Sequence, residues 1–242
     1  VKSMKKLLFY CLFIVLFLSG CGSDNNDTSE ETESTGSESI QVEGEKEELT
    51  GQLVIDRSIE KYGNVHSYVL KTNIDMLEDD KAFTMKTITT IDGSENAKFE
   101  ADIDGNVSTY YEVDDKAFTV ENGELKETDA LNIASNASYG DIIKITEDLK
   151  GGKIKQEDDQ FTLTFDLANE ENQEAYFGSN LAQSVGEFEE LEGTLVLTYS
   201  KEYLLTNAKV EGTAKSGEQT IGFEATSNFQ NVDSVETIEL PE

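Results

Sequence analysis

Residues 68–91 read YVLKTNIDMLEDDKAFTMKTITTI, and the pattern of this stretch decides the fold class. Large apolar side chains alternate with polar ones in its first half, where the apolar set is Tyr68, Leu70, Ile74 and Met76. Because successive residues of a strand point to opposite faces, the alternation predicts a strand with one apolar and one solvated face. The acidic residues 78–80 form a turn signal, and alternation resumes from Phe83 to Ile91. The stretch therefore predicts an antiparallel hairpin.

The same pattern extends outward in both directions. Upstream, apolar residues at helical spacing predict a helix over residues 50–62, which Gly63-Asn64 ends. Downstream, turn signals such as Asp104-Gly105-Asn106 and Asn122-Gly123 separate short alternating runs. Further strands are predicted at about residues 99–103, 107–113, 117–120, 153–156, 161–167, 194–199, 204–214, 219–229 and 235–240, and helices at about 130–135, 139–149 and 171–185.

These elements predict an α+β domain that is mainly antiparallel β, with about ten strands and three or four helices. The apolar strand faces carry too many large side chains to be left in water. A few helices are the natural cover, so the expected arrangement is a strongly curved half-barrel sheet wrapped over them.

The N-terminal residues resemble a bacterial lipoprotein signal. Three lysines precede a short apolar run from Leu7 to Leu18, and Leu18-Ser19-Gly20-Cys21 resembles a lipobox. In lipoproteins the cysteine thiol is alkylated with a diacylglyceryl group and the preceding signal is removed. We therefore expect residues 1–20 to be a lipoprotein signal peptide, Cys21 to be lipidated, and the protein to be anchored at the extracytoplasmic face of the cell membrane. The alternative is an ordinary secretory signal with a coincidental cysteine.

The segment after Cys21 has a different composition. Residues 22–48 contain ten acidic residues, one lysine and few apolar residues, too few to offset the entropy of ordering the chain. We expect residues 21–48 to be a disordered acidic tether, with an r.m.s. reach of about 30 Å. Residues 49–242 are then expected to form a single domain.

The charge of the chain excludes some partners. Four of the 19 Lys and Arg and ten of the 50 Asp and Glu residues precede residue 49, which leaves 15 and 40 in the domain. Nucleic acid is therefore an unsuitable partner, because phosphate binding requires positive charge.

Catalytic and metal motifs are weak in this sequence, and we expect neither an enzyme nor a cofactor. His66 is the single histidine and stands at a turn with no nucleophile motif nearby. The stretch Asp102-Ile103-Asp104-Gly105-Asn106 is similar to the start of a calcium loop, but Val107 and Val113 occupy positions where an EF-hand has glycine and glutamate. A hairpin turn explains it better. Adjacent acidic pairs are expected by chance in so acidic a chain.

Two stretches carry a resemblance to a known family. Residues 59–68, IEKYGNVHSY, take the first helix through a short turn and a Ser-Tyr into the first strand, and residues 228–241 resemble a last strand with a closing proline. With the lipobox, the acidic tether and the meander, the domain resembles the LolA/LppX-like lipoproteins and periplasmic lipid carriers. The resemblance implies an incomplete antiparallel barrel closed by helices over an apolar cavity that binds acyl chains.

Nine apolar residues are the candidates for lining such a cavity: Leu70, Phe83, Met85, Phe99, Tyr111, Phe161, Phe165, Leu197 and Phe223. A filled core gives the same alternation as a hollow one, so two functions stay open. The domain is either a carrier or sensor that binds a lipid or other amphiphile, or a surface-displayed lipoprotein with a filled core that binds an envelope protein.

Overall fold

The computed structural model describes residues 48–78, 81–136, 138–185, 190–216 and 219–241. The predicted signal peptide, Cys21 and most of the acidic tether lie outside these residues. The helices are α1 (Gly51–Tyr62), α2 (Ile133–Asn136), α3 (Tyr139–Ile145) and α4 (Glu170–Val185), with a 3-10 turn at Thr146–Asp148. The strands are β1 (Tyr68–Glu78), β2 (Lys81–Ile91), β3 (Ala97–Ile103), β4 (Asn106–Val113), β5 (Lys116–Glu121), β6 (Glu124–Thr128), β7 (Lys153–Gln156), β8 (Gln160–Asp166), β9 (Glu190–Ser200), β10 (Leu205–Ser216) and β11 (Gln219–Gln230).

These strands form one open antiparallel sheet of eleven strands in the order β6-β5-β4-β3-β2-β1-β11-β10-β9-β8-β7. Two meanders therefore meet where β1 pairs with β11, the first and last strands in sequence. Edge strands β6 and β7 do not pair with each other, so the barrel stays incomplete. The predicted fold class, a mainly antiparallel half-barrel with a few helices, is confirmed.

One strand was missed from the sequence, and one predicted strand was wrong. Residues 124–128 form β6, which the sequence does not signal because Leu125 is the one apolar residue in an otherwise polar edge strand. Residues 235–240 were expected to form a strand but do not. This segment lies against the sheet without pairing. Its Ile238 N–H donates to Asp92, and the preceding Asp233 N–H donates to the Ser67 carbonyl.

The sheet curves around its helices. Eleven strands at about 4.8 Å spacing would be about 50 Å wide if flat, whereas α1, with 12 residues, is only about 18 Å long. Tyr110 of β4 and Leu163 of β8 nevertheless belong to the same buried cluster as Val54 and Ile55 of α1. The two arms of the sheet therefore bend toward one another over the helices.

A pair of facing glycines marks one point of close strand approach. Gly193 of β9 pairs with Gly212 of β10. A Cβ atom at Gly212 would lie 2.2 Å from the Glu192 carbonyl oxygen and 2.9 Å from the Gly193 Cα. Glycine inside a strand is typical of a tight bend or a close backbone approach. No side chain fits between β9 and β10 here.

Side-chain caps fix the helices and connections. The Thr50 hydroxyl accepts from the Leu53 N–H at the start of α1. Glu112 of β4 holds the segment that leads into α2: its carboxylate accepts from the backbone N–H groups of Leu131 (2.6 Å), Asn132 (2.7 Å) and Ile133 (2.7 Å). It also accepts from the Tyr110 hydroxyl at 2.7 Å. Burial raises the pKa of Tyr110, and this hydrogen bond raises it further.

Asp92, after β2, is the attachment point of the C-terminal segment. Its buried carboxylate accepts from Ser94 N–H, Asn96 N–H, the Asn96 side-chain amide and Ile238 N–H. Burial acts to raise the pKa of Asp92, but the hydrogen bonds outweigh it and lower the pKa below its usual value. The carboxylate therefore stays charged and keeps residue 238 against the β2–β3 turn.

Candidate functional site

The strand register places the apolar side chains on the concave face of the sheet. Ile74 lies opposite Met85 in β2 and Ala225 in β11, and Met76 lies opposite Phe83 and Phe223. Eight of the nine predicted cavity residues share this face: Leu70, Phe83, Met85, Phe99, Phe161, Phe165, Leu197 and Phe223. Their role in ligand binding stays a prediction.

Tyr111 does not belong to this set. It pairs with Lys98 and Phe118, whereas its neighbour Tyr110 pairs with Phe99 of the concave face. Adjacent residues of a strand point to opposite sides, so Tyr111 lies on the convex face, where the Lys98 ammonium lies over its ring at 5.8 Å. The prediction that Tyr111 faces the cavity was wrong, and Tyr110 occupies that side.

The part of the concave face under α1 and α3 is filled; we call it the inner floor. Leu163, Leu195 and Tyr199 are completely buried there. Tyr139 of α3 contacts the rings of Tyr68 and Phe229, and its hydroxyl donates to the Leu205 carbonyl. These residues form a close-packed core, to which Phe161, Phe165 and Leu197 also belong.

The part near the β1–β2 and β10–β11 turns is more open; we call it the outer floor. Its large members are Met76, Phe83, Met85, Ile103, Ile221 and Phe223, and its small members are Gly193, Gly212, Ala214 and Ala225. Phe83, Ile103 and Ile221 keep partial solvent exposure. The glycines of β9 and β10 let the two backbones approach closely, and methionine adapts to varied apolar shapes.

Helix α4 borders the outer floor on the β9 side. The Gln173 side-chain amide donates to the carbonyl of Leu167, and more weakly to that of Leu191 at 3.4 Å. Tyr176 and Phe177, in edge-to-face contact, pack partly buried against the core. The start of α4 is therefore fixed to β9, and the Asn169 carboxamide accepts from the Glu171 N–H at that end.

Four hydroxyls cross the concave face between the inner and outer floors; we call them the hydroxyl band, Thr72, Thr87, Thr89 and Ser227. Thr87, Thr72 and Ser227 occupy one register row over β2, β1 and β11. The hydroxyls of Thr72 and Ser227 are 3.0 Å apart and form a buried hydrogen bond. Sequence reasoning missed this band, although hydroxyls at inward positions between Leu70 and Ile74 are a signal of it.

Charged residues lie mainly on the convex face. There Lys209 forms ion pairs with Glu211 and Glu224, and its hydrogen bond to Glu211, then that to Glu224, raises the pKa of the ammonium. On the concave face of β1–β3 and β8–β11, the described inward positions carry one cation, Lys81, at the rim opposite Glu78. The floor itself therefore offers no positive charge to a ligand.

The other candidate chemistry has structural explanations. His66 is exposed, and the Asp102 carboxylate accepts from the Gly105 N–H within the β3–β4 hairpin turn, as predicted. Among the described residues, no three carboxylate, histidine or cysteine side chains are grouped as metal ligands would be. Nor does any helix in the described ranges have the length and apolar character needed to cross a membrane.

Comparisons with known proteins return structures but no sequence relatives: no family model and no curated protein matches the chain. The chain is similar to LprF from Mycobacterium bovis, at 10% identity and a TM-score of 0.45, over 78% of this chain and 96% of that one. It is also similar to the LolA superfamily protein NE2245 from Nitrosomonas europaea, at 10% identity and a TM-score of 0.28, over 79% and 96%. A putative outer membrane lipoprotein-sorting protein domain from Vibrio parahaemolyticus matches at 7% identity and a TM-score of 0.22, over 78% and 94%.

All three matches have TM-scores below 0.5 and identities of 10% or less, so the LolA/LppX-like resemblance rests on the sequence. Function has to be inferred from the chain's own residues.

Proposed function

We propose that this protein is a non-catalytic, membrane-anchored binding module that takes up a lipid or other amphiphile on its outer floor. The observation that carries the proposal is the contrast within one concave face. The inner floor is filled and buried, whereas Phe83, Ile103 and Ile221 of the outer floor keep partial solvent exposure. Partly exposed apolar surface of this kind is typical of a ligand site.

The energetics are adequate for an acyl chain. Each buried methylene contributes about 0.8 kcal/mol, so about ten methylenes would contribute about 8 kcal/mol. That value corresponds to a dissociation constant of about 1 μM before the entropy of association is counted. The cost of association makes the actual binding weaker than this value, and weak binding suits reversible uptake and release by a carrier or a sensor.

A carboxylate at Phe83 is expected to weaken this binding. Phe83→Asp removes an aromatic contact and places a charge against apolar ligand atoms, and we expect affinity for a palmitoyl ligand to fall about 30-fold or more. Ala82→Asp is the matched control, because Ala82 is exposed on the opposite face of the same strand. Displacement of a neutral fluorescent probe would measure the affinity of both variants for the ligand. Altered stability with unchanged affinity in Phe83→Asp would contradict the proposal.

Anchoring through Cys21 is the second part of the proposal, together with the domain organisation of residues 1–20, 21–48 and 49–242. Cys21→Ala is expected to release the protein from the membrane fraction into the soluble extracytoplasmic fraction and to abolish labelling by a fatty-acid probe. Cell fractionation with metabolic labelling measures both effects. Retention of the variant in the membrane at the wild-type level would contradict lipid anchoring.

A second candidate function, binding of an envelope protein, is favoured by one observation. On the convex face Tyr111 lies beside partly buried Phe118, and Val120 pairs with Leu125. This apolar patch sits among charged residues, as interaction sites often do. A co-purified envelope protein that is lost on Phe118→Glu but kept in Phe83→Asp would support this function over the first.

A further inference from the structure

The hydroxyl band is more polar than the interior around it requires. Thr72, Thr89 and Ser227 are each no more than 3% exposed, while Thr87 keeps partial exposure. A buried hydroxyl costs free energy unless it is hydrogen-bonded. Such groups in the middle of an apolar face need an explanation, because valine or alanine would pack as well.

The band has unused hydrogen-bonding capacity. Each hydroxyl carries one proton and two acceptor sites. Among the described residues, these four hydroxyls make one side-chain hydrogen bond, which joins Thr72 and Ser227. Ser58 of α1 is also fully buried, and its hydroxyl has no partner among the described residues. Ser58 is the one described residue with a buried side-chain polar atom that lacks a partner, so the remaining capacity of the band is the acceptor sites that the Thr72–Ser227 bond does not use.

Charge narrows the class of ligand further. The described inward positions of the floor strands carry no cation except Lys81, which faces Glu78 at the rim. The chain has a formal charge of −31. An anionic headgroup would therefore lose its hydration without gaining an ion pair.

We propose that the hydroxyl band binds the polar group of an uncharged amphiphile, such as an acylglycerol or fatty alcohol, while its chain occupies the outer floor. This inference rests on the proposed function and adds the ligand class to it. Thr87, the partly exposed member, is the point of entry. The pair Thr72–Ser227 rearranges to donate to an ester oxygen of the ligand, or to donate to or accept from a ligand hydroxyl. A fatty-acid anion has a polar group but is charged, and a plain hydrocarbon is uncharged but has no polar group.

The test compares monopalmitin, palmitate and hexadecane, which share a chain length, as displacers of a neutral fluorescent probe from the full protein. Monopalmitin is expected to bind about tenfold more tightly than each of the other two. The double variant Thr72→Val/Ser227→Ala is expected to lose that preference while hexadecane binds as well as before. Thr226→Val, on the convex side of β11, is the matched control and should keep the preference.

Each outcome is informative. The ratio of two ligand affinities does not respond to a general loss of stability, so the double variant remains interpretable even if its unfolding temperature falls. Equal binding of the three ligands to the wild type, or a preference unchanged in the double variant, would overturn the inference and leave the proposed function standing. Failure of all three ligands to displace the probe would overturn both.

Discussion

Gly212→Val is expected to lower the free energy of unfolding by about 3 kcal/mol or more. The new Cβ would lie 2.2 Å from the Glu192 carbonyl oxygen and 3.0 Å from the Phe223 ring, and the first of these partners is backbone that cannot move aside. Strands β9 and β10 would have to separate at this point. Their separation would also displace the small inward-facing residues of the outer floor. Urea unfolding followed by far-UV circular dichroism measures the effect.

Gly222→Val in β11 is the matched control for this substitution. A Cβ there meets its nearest atoms only at 4.0 Å, on Leu77. Valine is a favourable strand residue, so this variant is expected to change the free energy of unfolding by less than about 1 kcal/mol. If valine lowered the free energy of unfolding equally at Gly212 and Gly222, the close approach of β9 and β10 would not be the cause of the loss at Gly212.

Glu112→Ala is expected to cost about 3 to 5 kcal/mol of unfolding free energy. The carboxylate accepts three backbone N–H groups at 2.6 to 2.7 Å and the Tyr110 hydroxyl at 2.7 Å. Alanine would remove this acceptor from all four donors at the entry to α2. The Leu131 N–H could still donate to the Tyr110 hydroxyl and that hydroxyl to the Asp129 carbonyl, so the main loss falls on Asn132 and Ile133. Because whole-domain stabilities are about 5–15 kcal/mol, the variant should be marginally folded. Urea unfolding gives the free energy, and hydrogen exchange at residues 131–133 locates the loss.

Glu100→Ala provides the comparison for Glu112→Ala. Glu100 lies on the neighbouring strand β3, points to the convex face and pairs with Lys98 at 3.0 Å, with about a third of each side chain exposed. A surface ion pair of this kind contributes less than about 1 kcal/mol. If the two alanine variants were equally stable, the hydrogen bonds of Glu112 would not be what holds the start of α2 against β4.

The faces of the sheet were largely predictable from sequence, because alternation such as that from Tyr68 to Met76 reports directly which residues share a side. Tyr111 shows where this fails. Two adjacent tyrosines stand in β4, and only the pairing of Tyr110 with Phe99 decides which of them faces inward. Register depends on turn geometry and partner strands, which the local pattern does not contain.

The detailed site was less predictable because it depends on residues distant in sequence. Gly193 and Gly212 face each other only because β9 and β10 pair. Thr72 and Ser227, which form a hydrogen bond, are 155 residues apart in the sequence. Each of these four residues is unremarkable in its own strand. Likewise, residues 235–240 alternate like a strand, but Asp92 takes up the Ile238 N–H and no neighbouring strand is available to pair with the segment.

The division of the concave face into a filled inner and an open outer floor explains the ambiguity left by the sequence. Leu195 and Phe83 are both large apolar residues on alternating strands, yet the first is completely buried and the second keeps partial exposure at the outer floor. The pattern is the same for both, since only the volume of the covering elements differs.

The central claim, that the outer floor holds an amphiphile, is tested most directly by native mass spectrometry of the protein purified from cells without detergent, followed by extraction and identification of whatever is bound. We expect discrete added masses that match uncharged lipids and that are depleted in Phe83→Asp but kept in Ala82→Asp. A single unliganded mass that stays unchanged on addition of monopalmitin would contradict the claim and favour a filled core with a protein partner.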